Sequence, residues 1–349
     1  MIRHGAYAME PTRREVIATA ATLLIGSTVK KFLPLSQHSL KKLPVTGSGD
    51  FVYEVHHDWL TPPSNISWGD THGVVQDRQG RIYIAHTVHP SSVKRDAVVV
   101  FDENGEFVES WGEEFAGGAH GLDLRYEGGV GFLYHCDTRR RLVVKTTLWG
   151  EKVWERGMPE EAGVYTDAGQ WCPTNVAFAP DGDLFVGDGY GSSYVHRYSK
   201  DGAYVRLICG PGSEPGQVSC PHGLWVDERG DEPYLVVADR SNHRLQYLTL
   251  DGRHVKFVKD GMRMPCHLHF SKGRMLVPDL TSVVTILGEN NEILAQLCDG
   301  DPTNLRGAPR DQFVPGKFVH PHAAIWANGD DVLVVEWVPI GRVTLLKKV

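Results

Sequence analysis

Residues 221–252 read PHGLWVDERGDEPYLVVADRSNHRLQYLTLDG, and this stretch decides the fold. It contains a histidine, a short apolar strand, a turn, a second strand that ends in Asp239, a third strand, and an Asp-Gly pair that suits a hairpin turn. The same phrase occurs six times at spacings of 45 to 55 residues, close to the roughly 40–50 residues of a four-stranded propeller blade. The sequence therefore predicts an all-β, six-bladed β-propeller. The residues at the centre of the six inner-strand openings are His72, His120, Thr174, His222, His267 and His322.

The ends of the chain indicate how the ring closes. The last repeat has only three predicted strands before the chain ends at Val349, whereas the segment 51–59 precedes the first inner strand. We expect this segment to supply the missing fourth strand of the last blade, because closure removes a sheet edge that would otherwise invite aggregation. The predicted propeller spans residues 51–349.

Residues 1–43 are interpreted as an export leader and linker. The motif Thr12-Arg13-Arg14-Glu15-Val16-Ile17 precedes an apolar run from Ala18 to Gly26, an arrangement typical of a twin-arginine signal, with Met9 as the start. The run is shorter than the roughly 20 residues of a membrane-spanning helix. This predicts a periplasmic or other extracytoplasmic location, with membrane attachment only if the leader stays uncleaved. The alternative is a disordered tail with a chance arginine pair.

Charge and cysteine usage exclude two classes of function. The net charge is −7, and after residue 43 the chain carries 29 basic against 41 acidic side chains, so it lacks the basic surface that nucleic-acid binding needs. The six cysteines form no C-x-x-C pair and give no signal of a metal knuckle. In an exported protein they are able to form disulfides, and Cys209 and Cys220 are the nearest pair in sequence.

Five of the six repeats place a histidine at the channel position. Equivalent positions on different blades converge on the propeller axis, and neutral imidazole is a common ligand for zinc, copper or iron. His120, His222 and His322 lie on alternate blades, which suits a three-histidine metal site with an open coordination position. His72 and His267 are additional channel residues that serve as ligands, substrate-binding groups or structural groups.

Three further features of the repeats are singled out. The acidic residues that end the second strands are interpreted as turn carboxylates that accept backbone N–H groups. Tyr190 and Arg240 follow two of them: a tyrosine is able to act as a base, and an arginine holds a carboxylate by a bidentate contact. The segment 301–317 is either a lid over one face or an ordinary surface loop. The turn carboxylates are Asp137, Asp188, Asp239, Asp279 and Glu336.

The central two repeats carry a family resemblance. Pro173-Thr174-Asn175-Val176-Ala177 with Asp188-Gly189-Tyr190, then Pro221-His222-Gly223-Leu224 with Ala238-Asp239-Arg240, resemble the NHL-repeat propellers that include peptidyl-α-hydroxyglycine α-amidating lyase. That enzyme releases glyoxylate and leaves a peptide amide. The resemblance implies that His120, His222 and His322 are zinc ligands, that Tyr190 is the catalytic base and that Arg240 is a substrate-site arginine.

The sequence also departs from that family. Ala323 stands where the resemblance implies an aspartate that helps bind calcium, which speaks against a calcium site. The first blade reads Gly69-Asp70-Thr71-His72-Gly73 and lacks the arginine that the family has there. Gly191 replaces the cysteine that would pair with Cys172, so that disulfide is excluded.

These observations give one leading hypothesis and two alternatives. The leading hypothesis is an exported, metal-dependent lyase, with zinc as the metal, that cleaves the C–N bond of a small or peptide-terminal substrate of the carbinolamide type. The first alternative is a non-catalytic propeller that binds a partner protein or a glycan. The second is an oxidative enzyme that uses iron or copper in the same histidine cluster.

Overall fold

The computed structural model describes residues 42–349. The predicted leader, apart from its last two residues, lies outside the described residues, so the twin-arginine signal stays a prediction. Within residues 42–349, no helix is long and apolar enough to cross a membrane.

The described part of the chain consists of 26 strands and five short 3-10 helices. The strands in chain order are β1 (Val45–Ser48), β2 (Phe51–His56), β3 (Thr71–Gln76), β4 (Ile82–His86), β5 (Val98–Phe101), β6 (Phe107–Trp111), β7 (Ala119–Glu127), β8 (Val130–Asp137), β9 (Leu142–Thr147), β10 (Lys152–Arg156), β11 (Asn175–Phe178), β12 (Leu184–Gly187), β13 (Val195–Tyr198), β14 (Tyr204–Pro211), β15 (Gln217–Val218), β16 (Pro221–Asp227), β17 (Tyr234–Asp239), β18 (Arg244–Thr249), β19 (His254–Val258), β20 (His269–Ser271), β21 (Arg274–Asp279), β22 (Val283–Leu287), β23 (Ile293–Leu297), β24 (Pro321–Ala327), β25 (Asp331–Glu336) and β26 (Arg342–Lys348). The 3-10 helices are Glu113–Phe115, Glu160–Ala162, Ala168–Gln170, Arg240–Asn242 and Arg310–Gln312.

The strands form six antiparallel sheets, which confirms the predicted six-bladed propeller. Blades 1 to 5 are β3–β6, β7–β10, β11–β14, β16–β19 and β20–β23, and β15 adds a short parallel strand to blade 3. Blade 6 has the order β24-β25-β26-β2-β1. In it, Tyr53 on β2 lies opposite Lys348 on β26, so an N-terminal strand completes the last blade as expected. Strand β1 adds a fifth strand to this sheet, so the sheet also includes residues that precede the predicted start of the propeller at residue 51.

The hydrophobic core lies between successive blades. Val74 and Ile84 of blade 1 pack against Val335 and Leu345 of blade 6 in one fully buried cluster, and further clusters join the other neighbouring blades. Alternate strand residues face each neighbouring sheet, so both faces of a blade are buried by apolar side chains. This packing keeps the inner strands fixed around the channel.

The carboxylates at the ends of the second strands are structural, as the sequence indicated. Asp239 accepts the backbone N–H of Ser219 (2.6 Å). Glu336 accepts that of Val319 (2.7 Å), and buried Asp188 accepts that of Cys172 (2.6 Å). Each bond holds the segment that enters an inner strand two or three residues before its channel position. The carboxylates therefore fix the backbone just before each inner strand, and with it the position of the channel side chain.

All six cysteines lie in the described part of the chain, and all are free thiols there. The segment 301–317 packs on blades 6 and 1: Phe313 joins a small apolar cluster with Val319 and Val338, and Arg310 forms an ion pair with Asp58 (2.5 Å). This segment therefore rests on the same edge of the ring at which blade 6 meets blade 1.

Candidate metal centre

Four of the channel histidines lie at irregularities of their inner strands. The register of the pairing with the second strand shifts at His72 in β3, at His120 in β7, at His222 in β16 and at His322 in β24. A β-bulge of this kind re-aims a side chain, and bulges are common beside active sites. Thr174 and His267 precede their strands instead.

The three histidines on alternate blades are each tethered to a neighbouring blade through Nδ1. The partner of His120 is the Thr174 carbonyl (2.9 Å), that of His222 is the Cys266 carbonyl (2.7 Å), and that of His322 is the His72 carbonyl (2.8 Å). A carbonyl only accepts, so each Nδ1 carries the hydrogen and each Nε2 carries a lone pair. Tethers of this type orient metal-binding imidazoles in proteins.

The glycines that follow two of these histidines make the tethers possible. A Cβ atom on Gly121 would lie 2.3 Å from the Thr174 carbonyl oxygen, and one on Gly223 would lie 2.5 Å from the Cys266 carbonyl oxygen. These are the two oxygens that accept from His120 and His222. The His-Gly pair therefore lets the next blade approach closely enough to hold the imidazole.

The tethered imidazoles converge. The ring centroids of His120, His222 and His322 are separated by 4.9, 4.7 and 4.8 Å, and the Nε2 atoms of His120 and His322 are 3.2 Å apart. Two lone pairs at that distance repel each other unless a cation lies between them. Nitrogen ligands of a tetrahedral zinc ion, each at 2.0–2.1 Å, are about 3.3 Å apart. The Nε2 atoms of His120 and His322 are therefore spaced as two ligands of a small divalent metal would be.

At neutral pH the three histidines are not protonated, so a proton is not the cation that lies between their lone pairs. Burial lowers the pKa of His120 to about 4, and it lowers the pKa of His222 and His322 well below the usual value. The Arg240 charge adds to the effect on His222, as neighbouring imidazoles do on His322. All three rings are thus neutral at pH 7, the form that binds a metal.

The two additional channel histidines differ from each other. The Nδ1 atom of His72 lies 3.1 Å from Nε2 of His322, and the ligand atoms of His72, His120 and His322 all lie within 4.8 Å of one another. His72 therefore belongs to the cluster, although no carbonyl fixes its tautomer. His267 is buried and its Nδ1 has no partner among the described residues. It lines an adjoining cavity of about 350 Å³ together with Asp123.

Tyr190 and Arg240 lie beside the histidines, as the sequence suggested. The Tyr190 hydroxyl is 3.2 Å from Nε2 of His120 and 3.0 Å from Nε2 of His222, and it accepts a hydrogen bond from Nη1 of Arg240 (3.3 Å). Burial raises the pKa of Tyr190 to about 12, against the opposing charge of Arg240. Arg240 pairs with no carboxylate among the described residues, so its charge is available to an anion.

A second arginine, Arg306, lies near the channel histidines and was not predicted from the sequence. Arg306, from the segment between blades 5 and 6, forms an ion pair with Asp70 (2.8 Å), two residues before His72. The charges of both Arg306 and Arg240 contribute to the lowered pKa of His72, whose main cause is burial. Arg306 lies outside the repeat register, so the repeat pattern gave no signal of it.

Several known proteins are similar to this chain in sequence. No protein-family model matches the chain. The chain is 28% identical over 240 residues to rat peptidylglycine alpha-amidating monooxygenase, and 24% identical over 356 residues to peptidyl-alpha-hydroxyglycine alpha-amidating lyase 1 of Drosophila melanogaster. At low identity, the chain is similar to proteins that are named as amidating lyases and amidating monooxygenases.

The extent of the likeness differs between these relatives. The match to the rat protein covers 61% of this chain but 24% of the rat protein, and the match to the fly lyase covers 89% of this chain and 62% of the fly protein. Among solved structures, a gluconolactonase of Xanthomonas campestris is similar with a TM-score of 0.58 at 14% identity, over 87% of this chain and 95% of that one. That likeness concerns the propeller fold alone.

Proposed function

We propose that this chain is a zinc-dependent lyase that cleaves the C–N bond of an α-hydroxyglycine, a carbinolamide, into glyoxylate and an amide. The observation that carries the proposal is the proximity of three tethered imidazole rings to a tyrosine and to an arginine that has no carboxylate partner among the described residues. His120, His222 and His322 are the proposed ligands. The similarity of the chain to amidating enzymes supports an enzyme, and the separations of 4.7 to 4.9 Å between the three ring centroids support a metal site.

The zinc site would use the features that the histidines already show. The Nδ1 tethers leave all three Nε2 atoms free to bind a metal, and the three side chains are buried. A bound zinc ion would supply a Lewis acid for the substrate hydroxyl and a positive charge that favours the tyrosinate form of Tyr190.

Tyr190 is proposed as the base. Its oxygen lies between two imidazoles and the Arg240 guanidinium, so it can receive a proton from a hydroxyl held at the same place. The substrate O–H bond breaks and its proton goes to Tyr190. The electron pair forms the aldehyde C=O bond as the C–N bond breaks, and the departing amide nitrogen then takes the proton back from Tyr190.

Arg240 is proposed to hold the substrate carboxylate. Its guanidinium already donates to Tyr190, so a carboxylate bound there places the neighbouring carbon next to the base. With no competing carboxylate among the described residues, the arginine binds the substrate anion without first losing a partner.

The test is product formation from N-benzoyl-α-hydroxyglycine. We expect zinc-loaded protein to release glyoxylate and benzamide in equal amounts, a chelator to stop the reaction, and added zinc to restore it. If protein loaded with zinc releases no glyoxylate, the lyase proposal fails. Activity restored by iron or copper but not by zinc would instead favour an oxidative enzyme, and less than one bound transition metal per chain would favour a non-catalytic propeller.

A further inference from the structure

A second cavity adjoins the metal centre and takes no part in the proposed reaction. We call it the far cavity: it has a volume of about 350 Å³, and residues of all six blades line it. Tyr190 and Arg240 do not line it. Apart from His267, each lining residue follows the channel position of its own blade by two to six positions. The far cavity therefore lies further along the inner strands than the metal centre.

Asp123, on β7, places a carboxyl group in the wall of the far cavity. The residue is 6% exposed, and its Oδ2 accepts from Nδ2 of Asn175 (2.7 Å) and from the Val176 N–H (3.4 Å). Its Oδ1 has no hydrogen-bond partner among the described residues, and this oxygen is not fully buried. Because Asp123 lines the cavity, Oδ1 is open to a ligand there.

Among the described residues, no positive charge balances this carboxyl group. None of the lining residues is a lysine or an arginine, and Glu228 adds a second acidic side chain. Arg125, two positions further along β7, donates to a backbone carbonyl group instead (2.6 Å). The buried Asp239, in contrast, pairs with Arg244 (2.6 Å). Burial without a cationic partner disfavours the charged form, so it raises the pKa of Asp123 to about 8.

Neither a protonated histidine nor a bare metal ion fits beside Asp123. Burial lowers the pKa of His267 to about 4 and that of His269 to about 3, so both rings are neutral at pH 7. Within residues 42–349, the one group of three side chains spaced to hold a metal lies in the metal centre and not in the far cavity. A metal ion would therefore find too few ligands in the far cavity, whereas an organic cation needs only one carboxylate.

The walls of the far cavity are apolar and aromatic. Phe178 and Trp225 contribute rings from blades 3 and 4, and Val74, Leu124 and Ile325 contribute aliphatic side chains. An aromatic face attracts a cation, and that of tryptophan does so most strongly. Cavities of this size with apolar walls and few polar groups are typical of small-molecule sites. The far cavity thus combines an unpaired carboxyl oxygen with surfaces that suit a positively charged ligand with an apolar part.

We propose that the far cavity binds a small organic ammonium ion. The N–H groups of the ligand donate to Oδ1 of Asp123, and its carbon part packs against Phe178 and Trp225. This inference is independent of the proposed lyase reaction, because none of the residues proposed for that reaction lines the far cavity. A hydrogen bond to a charged group contributes about 1.5–3 kcal/mol, which is about 10- to 150-fold in Kd.

The experiment measures the binding of three probes of similar shape by calorimetry. They are the 2-phenylethylammonium ion, the neutral 2-phenylethanol and the 3-phenylpropionate anion. Each is titrated into zinc-loaded wild type, Asp123→Asn, Trp225→Leu and the control Asp77→Asn at about pH 8.5, above the pKa of Asp123 and below that of an alkylammonium ion. Asparagine at position 123 keeps an oxygen for Asn175, and Asp77 is a carboxylate of similar burial outside the far cavity.

We expect wild type and Asp77→Asn to bind one ammonium ion per chain, at least about tenfold more tightly than the alcohol, and not to bind the carboxylate. Asp123→Asn should lose this preference, because it removes the charge that pairs with the ligand. Trp225→Leu should weaken ammonium binding about 2- to 30-fold by removing a cation–π contact.

Three results overturn the inference: no ammonium binding by wild type, equal binding of the ammonium ion and the alcohol, or unchanged ammonium binding in Asp123→Asn. If Asp123→Asn does not fold, unchanged ammonium binding in Trp225→Leu overturns it instead. Ammonium binding that disappears when zinc is removed from wild type places the ligand on the metal and also overturns it.

Discussion

Replacing Gly121 by alanine tests how the fold positions the metal centre. The added Cβ would lie 2.3 Å from the Thr174 carbonyl oxygen and 3.1 Å from Cα of Asn175, and both are backbone atoms. The oxygen must move by about 1 Å to reach an ordinary contact distance of 3.4 Å. Forcing extra volume into a packed site costs about 1–3 kcal/mol.

The same displacement acts on the metal site. The Thr174 carbonyl is the acceptor that fixes Nδ1 of His120, so moving it weakens the tether. Loss of such a partner lowers metal affinity about 10- to 100-fold. We therefore expect Gly121→Ala to lose both stability and zinc affinity.

The assays are urea unfolding of the metal-free protein and zinc competition against a chromophoric chelator. Gly230→Ala is the matched control, because the nearest atom to its added Cβ lies 3.8 Å away, and it should change neither quantity by more than about 0.5 kcal/mol or threefold. Wild-type zinc affinity in a destabilised Gly121→Ala protein would refute the claim that this carbonyl positions His120.

Three further predictions concern other residues. Tyr190→Phe should lower kcat for glyoxylate release about 10²- to 10⁴-fold with zinc content unchanged, since it removes the base but no ligand; a smaller loss excludes Tyr190 as the base. Arg240→Ala should lower kcat/KM about 10- to 100-fold by removing the carboxylate partner, with partial recovery in Arg240→Lys, and equal losses in both variants would assign the arginine a structural role. Burial raises the pKa of the Asp123 carboxyl to about 8, above the roughly 3.9 of an unfolded chain, so its contribution to wild-type stability is present below about pH 4 and lost as the pH rises to 8. Asp123→Asn does not titrate, so its free energy of unfolding relative to that of wild type should increase from pH 4 to 8 and stay constant above pH 8. A difference that does not change with pH would contradict the shift.

The repeat made the ring and its histidines predictable. A propeller places equivalent positions of each blade at the axis, so His120, His222 and His322 could be grouped without any knowledge of distances. The Asp and Glu residues after the second strands were predictable for the same reason, because the chain must turn at each of them.

Other parts of the site could not be obtained from the repeat. The tether from His120 to Thr174 joins residues 54 positions apart in neighbouring blades, and it depends on a bulge that strand patterns do not reveal. Arg306 meets Asp70 across 236 positions, from a segment that has no counterpart in the other repeats. Such contacts follow from the closed ring and not from local sequence.

The most direct test of the central claim is the metal content of single histidine variants, measured by mass spectrometry on protein reconstituted with zinc and then desalted. One zinc ion per chain is expected in wild type, in His72→Ala and in His267→Ala, and much less than one in His120→Ala, His222→Ala and His322→Ala. Full zinc in His222→Ala with none in His72→Ala would contradict the proposed ligand set and assign the site to His72, His120 and His322 instead. Absence of stoichiometric zinc from wild type would contradict the metal centre itself.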